Sequence, residues 1–126
     1  MNNIKFAIAF NIGTSDEQRI EACTMYQKAF GATKISECSV PGGDIHIIME
    51  IGGIKLLLGP GGKVEKTTEN AMCCEYNFDN EEDLKKAYKI LSADALRCSL
   101  EGPLPWAKLL GLVVDKFGVS WALYFR

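Results

Sequence analysis

The chain has 126 residues, 48% apolar and 24% charged, with a formal net charge of −2, which is one domain's worth of ordinary globular composition. That balance offers no basic face to nucleic acid. No run approaches the ~20 apolar residues of a membrane span, and Met1-Asn2-Asn3-Ile4-Lys5 lacks the basic start and apolar run of a signal peptide. Five cysteines, at 23, 38, 73, 74 and 98 and without a C-x-x-C, read as free thiols in a reducing, cytoplasmic setting and argue against a zinc ribbon or a thioredoxin-like site.

Ile4 to Phe10 alternates, with Phe6, Ile8 and Phe10 on one face and Ala7 and Ala9 on the other, which predicts a strand. Ser15-x-x-Gln18 is a capping box, and Asp16 and Glu17 suit the positive end of a helix dipole. The helix should run to about Phe30, with Ile20, Cys23, Tyr26 and Phe30 roughly on one stripe and Gly31 as its left-handed cap. A weaker strand covers 33 to 39, and Pro41-Gly42-Gly43-Asp44 is a turn. Ile45 to Ile51 and Ile54 to Leu58 then flank Gly52-Gly53, a two-residue hairpin turn. Such a turn sets Ile51 opposite Ile54, Glu50 opposite Lys55, Met49 opposite Leu56, Ile48 opposite Leu57 and His46 opposite Gly59. One face is then wholly apolar (Ile45, Ile47, Met49, Ile51, Ile54, Leu56, Leu58) and belongs against a helix. The other carries His46, Ile48, Glu50, Lys55 and Leu57.

The second half repeats the order. Gly59-Pro60-Gly61-Gly62 opens a loop; without a following Lys-Ser/Thr and a helix it is a flexible turn rather than a phosphate cradle. No G-x-G-x-x-G supports a dinucleotide or methyl-donor site of the Rossmann type. A strand over 71 to 78 precedes a helix capped by Asn80, with Glu81, Glu82 and Asp83 in its first turn and Leu84, Ala87, Tyr88 and Leu91 on one stripe. Strands follow over 94 to 100, 109 to 114 and 119 to 125, the last two joined at Asp115-Lys116-Phe117-Gly118. Both halves therefore read β-α-β-β-β, an internal duplication with modules of about 1–62 and 63–126 inside a single domain.

This plan resembles the vicinal oxygen chelate superfamily (glyoxalase, bleomycin resistance protein, dioxygenase), and within it the PhnB-like branch. The resemblance spans nearly the whole chain. It rests on Glu21-Ala22-x-x-x-Tyr26-x-x-x-Phe30-Gly31, on His46 six residues before Gly52-Gly53, and most specifically on Gly111-Leu112-Val113-Val114-Asp115-Lys116-Phe117-Gly118-Val119-Ser120-Trp121. It implies an α+β fold of two β-α-β-β-β modules forming an eight-stranded, cup-shaped mixed sheet with helices on the outer side. A small organic ligand would sit in the cup, and the chain would often pair as a homodimer. One chemistry is not implied, because the fold hosts isomerases, dioxygenases, thiol transferases and antibiotic-sequestering proteins.

Metal-dependent members carry one ligand on the first and last strand of each module. The matching positions here fall near Lys5 and Cys73 and at Leu57 and Ala122, four residues after Gly53 and Gly118. That set offers one thiolate where an ion needs three or four donors, so no metal and no other cofactor is expected. His46 matches a family histidine and reads either as a ligand contact or as a structural, hydrogen-bonded residue. Glu50 and Lys55 read as a cross-strand ion pair. Cys73 and Glu75 share a face, and Cys73 and Cys74 read as buried small hydrophobes. Trp121 alternates with Val119, Leu123 and Phe125 and belongs to the core, while Ser120 and Tyr124 should look into the cup and Trp106 closes it or covers an edge. The expected ligand-binding set is His46, Cys73, Glu75, Trp106, Ser120 and Tyr124. The expected function is metal-independent small-molecule binding; the alternative is a divergent lyase, isomerase or dioxygenase-like enzyme with His46 or Glu75 as general base.

Overall fold

A computed structural model describes residues 4–13, 15–39, 41–61 and 65–126. The opening tripeptide and Gly62, both read above, lie outside the described residues. Among the described residues, eight strands and two helices follow in the order β-α-β-β-β, twice over, an α+β arrangement. They fall into two compact units, Met1–Glu65 and Lys66–Arg126, which divide a few residues beyond the boundary expected from the repeat.

The first unit holds β1 (Ile8–Asn11), α1 (Asp16–Phe30), β2 (Thr33–Cys38), β3 (His46–Ile51) and β4 (Ile54–Gly59). Its sheet runs β1-β4-β3-β2, with β1 parallel to β4 and the other pairs antiparallel. The Gly52-Gly53 turn sets the expected register, pairing Ile51 with Ile54, Glu50 with Lys55, Met49 with Leu56 and Ile48 with Leu57. Both glycines have positive φ, which a two-residue hairpin of this kind requires. Ile47, Met49, Ile51, Leu56 and Leu58 are buried on the face that meets α1; each such side chain contributes ~1.5–3 kcal/mol of hydrophobic stabilisation. Ile54, beside the turn, stays exposed.

Two expectations for this unit change. The first strand starts at Ile8, not Ile4: its ladder with β4 begins at Ile8 opposite Leu56, and Phe6 is 81% exposed. On α1, Ile20 is exposed rather than buried, and Arg19 is buried completely. Arg19 takes that place because oxygens surround both terminal nitrogens of its guanidinium, although the buried Nε has no partner among the described residues. Its guanidinium donates to the carbonyls of Ile12 (3.0 Å) and Gly13 (3.3 Å) and to the carboxylates of Asp16 (2.7 Å) and Asp44 (3.4 Å). Asp16 in turn accepts from the Ile45 N–H at 2.9 Å, so one ion cluster ties the start of α1 to the approach to β3. The Ile45 and Arg19 hydrogen bonds hold the Asp16 carboxyl below its ordinary range.

The second unit holds β5 (Cys74–Asn77), α2 (Glu81–Leu91), β6 (Arg97–Glu101), β7 (Leu109–Val114) and β8 (Ser120–Phe125). Its sheet order, β5-β8-β7-β6, repeats the first with the same parallel closure of first strand on last. Leu84, Ala87 and Leu91 of α2 are buried together with Val113, Trp121 and Leu123 of the sheet. Gly111 lets α2 come close: a Cβ there would lie 3.0 Å from the Tyr88 ring. Asp94 has a positive φ and Ala95 N–H bonds to Ser92, so a turn occupies the stretch expected to begin a strand and β6 starts at Arg97. Cys73 precedes β5 and is exposed, and Cys74 is half-buried, so neither is the buried hydrophobe expected. All five cysteines are free. Buried Asp115 organises the β7–β8 turn, accepting from the backbone N–H of Phe117 (2.9 Å) and Val119 (3.0 Å) and from the Trp121 indole N–H (3.0 Å).

Candidate functional site

Strand register and side-chain parity write the helix-free face of the second sheet as three rows. Val114 pairs with both Arg97 and Ser120, which makes the first row Arg97–Val114–Ser120. Leu112 pairs with Ser99 and Ala122, and Ala122 with Glu75, which makes the second. Leu110 pairs with Glu101 and Tyr124, and Tyr124 with Asn77, which makes the third. Neighbouring strands lie ~4.8 Å apart, so the Arg97 and Ser120 backbones are roughly 10 Å apart with Val114 between them.

The first row is the floor of a cavity of about 310 Å3, lined by Thr68, Glu69, Asn70, Arg97, Leu112 and Ser120 together with Val113 and Val114. That volume is at the small end of ligand sites. Its polar rim is fixed on the loop side: Asn70 donates to the Ser120 hydroxyl at 2.7 Å, and the Thr67 hydroxyl donates to the Asn70 side-chain oxygen at 3.0 Å. The Arg97 guanidinium and the Glu69 carboxylate, by contrast, have no hydrogen-bond or ion-pair partner among the described residues. They line the same cavity from β6 and from the loop before β5.

The third row closes on Arg126. Its guanidinium stacks 4.0 Å above the Tyr124 ring centre and donates to Glu75 (3.1 Å), to the Asn77 side-chain oxygen (3.1 Å) and to the Trp106 carbonyl (3.4 Å). Asn77 also donates to Glu75 at 2.9 Å. The Asn77 hydrogen bond first, and then the Arg126 cation, hold the Glu75 carboxyl below its usual range. A carboxylate held in its ionised form is a weaker base than an unpaired one.

The expected site residues are thus distributed. Ser120 lines the cavity. Glu75, Tyr124 and the Trp106 backbone meet at Arg126, while Trp106 is itself 59% exposed. Cys73 is exposed just before β5. His46 opens β3 on the helix-free face of the first sheet, opposite Cys38, with its Nδ1 facing the open side of Gly59. Glu50 and Lys55 form the expected cross-strand ion pair at 2.6 Å. Arg97, Glu69, Asn70 and Arg126 were not singled out from the sequence. The signal for Arg97 was its parity on a strand whose start was misplaced; nothing in the local pattern marks the others.

The residues at the fold's metal positions do not fit an ion. Leu57 and Ala122 carry no donor, and their neighbours on the same face are Ala9 and Ile48 for Leu57, and Leu112 and Glu75 for Ala122. Glu75 is already committed to Arg126 and Asn77, and Lys5 lies outside β1. Among the described residues no group of three or more His, Cys, Asp or Glu is placed to hold a metal.

A repeated β-α-β-β-β unit whose first and last strands pair in parallel is the vicinal oxygen chelate fold, and this chain has it. A PhnB protein from Bacillus cereus, described as a putative 3-demethylubiquinone-9 3-methyltransferase, superposes with a TM-score of 0.72 at 20% identity, covering 99% of this chain and 100% of its own. PA1353 from Pseudomonas aeruginosa gives 0.68 at 19% identity, over 97% and 98% of the two chains. The fosfomycin resistance protein FosX from Listeria monocytogenes gives 0.68 at 13%, over 98% and 94%. Likeness at these identities is likeness of fold. No family model and no curated protein matches the chain.

Proposed function

We propose that this chain is a metal-independent small-molecule-binding protein, holding a small organic ligand on the helix-free face of its second sheet. The observation that carries this reading is the cavity over the Arg97–Val114–Ser120 row: an apolar floor with a few convergent polar groups is the usual make-up of a ligand site. FosX has been solved with Mn(II) bound. The present donor set argues against that chemistry here, because Leu57 and Ala122 carry no oxygen or nitrogen donor and Glu75 is paired with Arg126. The chain would act as a homodimer in the cytoplasm, with free thiols suited to a reducing compartment. No helix among the described residues is long and apolar enough to cross a membrane.

A thermal-shift screen of small metabolites and antibiotics tests the binding. A ligand that binds only the native state at a hundred times its Kd adds about 2.7 kcal/mol of stability. That gain should be lost on changing Ser120 or Arg97, and its absence for every compound would end the reading. Elemental analysis tests the metal: near-stoichiometric zinc, nickel, iron or manganese that disappears in His46→Ala would replace this reading with a metal-dependent enzyme.

A further inference from the structure

We propose that the ligand of the second-sheet cavity is a small zwitterion of the α-amino-acid type with an aliphatic side chain, its carboxylate on Arg97 and its ammonium on Glu69. This rests on the binding reading above and names the class of molecule bound. Two opposite charges line one cavity of about 310 Å3, and neither has a partner among the described residues. They come from separate elements, Arg97 from the first residue of β6 and Glu69 from the loop before β5. A cavity of about 310 Å3 is of the same scale as the ~8 Å Debye length at physiological salt, so both charges act on whatever fills it.

Charge decides between ligand classes. A simple anion would satisfy Arg97 but place its charge in the same small space as the Glu69 carboxylate. A simple cation would meet the reverse problem at Arg97. A neutral molecule would return no ion pair to either charge. A dipolar ligand pairs both ends, and an Arg–carboxylate contact adds the option of two parallel hydrogen bonds. In the same lining, Leu112 and Val114 add apolar surface suited to an aliphatic side chain. Asn70 and Ser120, already bonded to each other, hold the far rim in place.

The test uses the full-length protein and titration calorimetry with L-leucine, L-methionine, 4-methylpentanoate (no ammonium) and 3-methylbutylamine (no carboxylate). The amino acids should bind, and each single-charge analogue should bind roughly tenfold more weakly or worse, a difference of ~1.4 kcal/mol. Arg97→Gln should remove the preference for leucine over 3-methylbutylamine, and Glu69→Gln the preference for leucine over 4-methylpentanoate. Both positions are exposed, so neither change should disturb folding. Equal binding of leucine and either analogue to the unaltered protein overturns the zwitterion and leaves the binding reading standing. So does a screen hit without paired opposite charges that depends on Arg97. Silence from all four probes overturns the zwitterion; silence from the whole screen overturns both.

Discussion

At Gly31 the chain turns out of α1 with φ 66, in the left-handed region that a side chain resists. Space is not the obstacle, since nothing lies within 4 Å of an added Cβ. Gly31→Ala should therefore cost the backbone strain alone, about 1 kcal/mol, read as a lower urea midpoint with an unchanged slope. Asp115 is the opposite kind of residue, valuable for what it touches. Asp115→Ala would strand two backbone donors and one indole donor around a buried turn. A loss of about 3 kcal/mol or more is expected in the same denaturation experiment. Arg19 and Asp115, the two buried charged side chains among the described residues, are of types usually exposed, and only the groups arranged around them make burial tolerable.

Between elements, the Asp16 cluster joins α1 to the approach to β3. Asp16 titrates below its ordinary value of 3.8 in the folded protein, so its contribution is complete above that value and lost as pH falls through the folded one. Asp16→Asn should melt below the unaltered protein at pH 7, and the two curves should converge as the pH falls through the lowered folded value. The elements themselves were legible in the sequence where a local signal was strong. Gly52-Gly53 fixes the β3–β4 register by itself, Ser15 and Asn80 mark helix starts by side-chain hydrogen bonds, and Gly31 marks a helix end by its left-handed φ. The strand starts at Ile8, Cys74 and Arg97 were not legible, because a strand ends where its partner ends and that is decided far away in sequence. The site suffered for the same reason. β5 meets β8 in parallel across more than forty residues, and no turn announces that Asn77 falls beside Tyr124 or that Arg126 reaches both.

For the molecule as a whole, β2 and β6 are sheet edges exposed along their full lengths. Exposed edges invite pairing, and a homodimer is expected; multi-angle light scattering at micromolar concentration should return twice 13.9 kDa, and the monomer mass would count against it. The second unit also places the chain's two tryptophans in opposite surroundings. Trp121 is 3% exposed with its indole N–H held by a carboxylate, and Trp106 is 59% exposed. Native emission should therefore be the sum of a blue, iodide-resistant component and a red, readily quenched one, and unfolding should shift only the first. Trp106→Phe would leave a protein whose single remaining tryptophan reports the packing of its second sheet, with no label attached and no core residue altered.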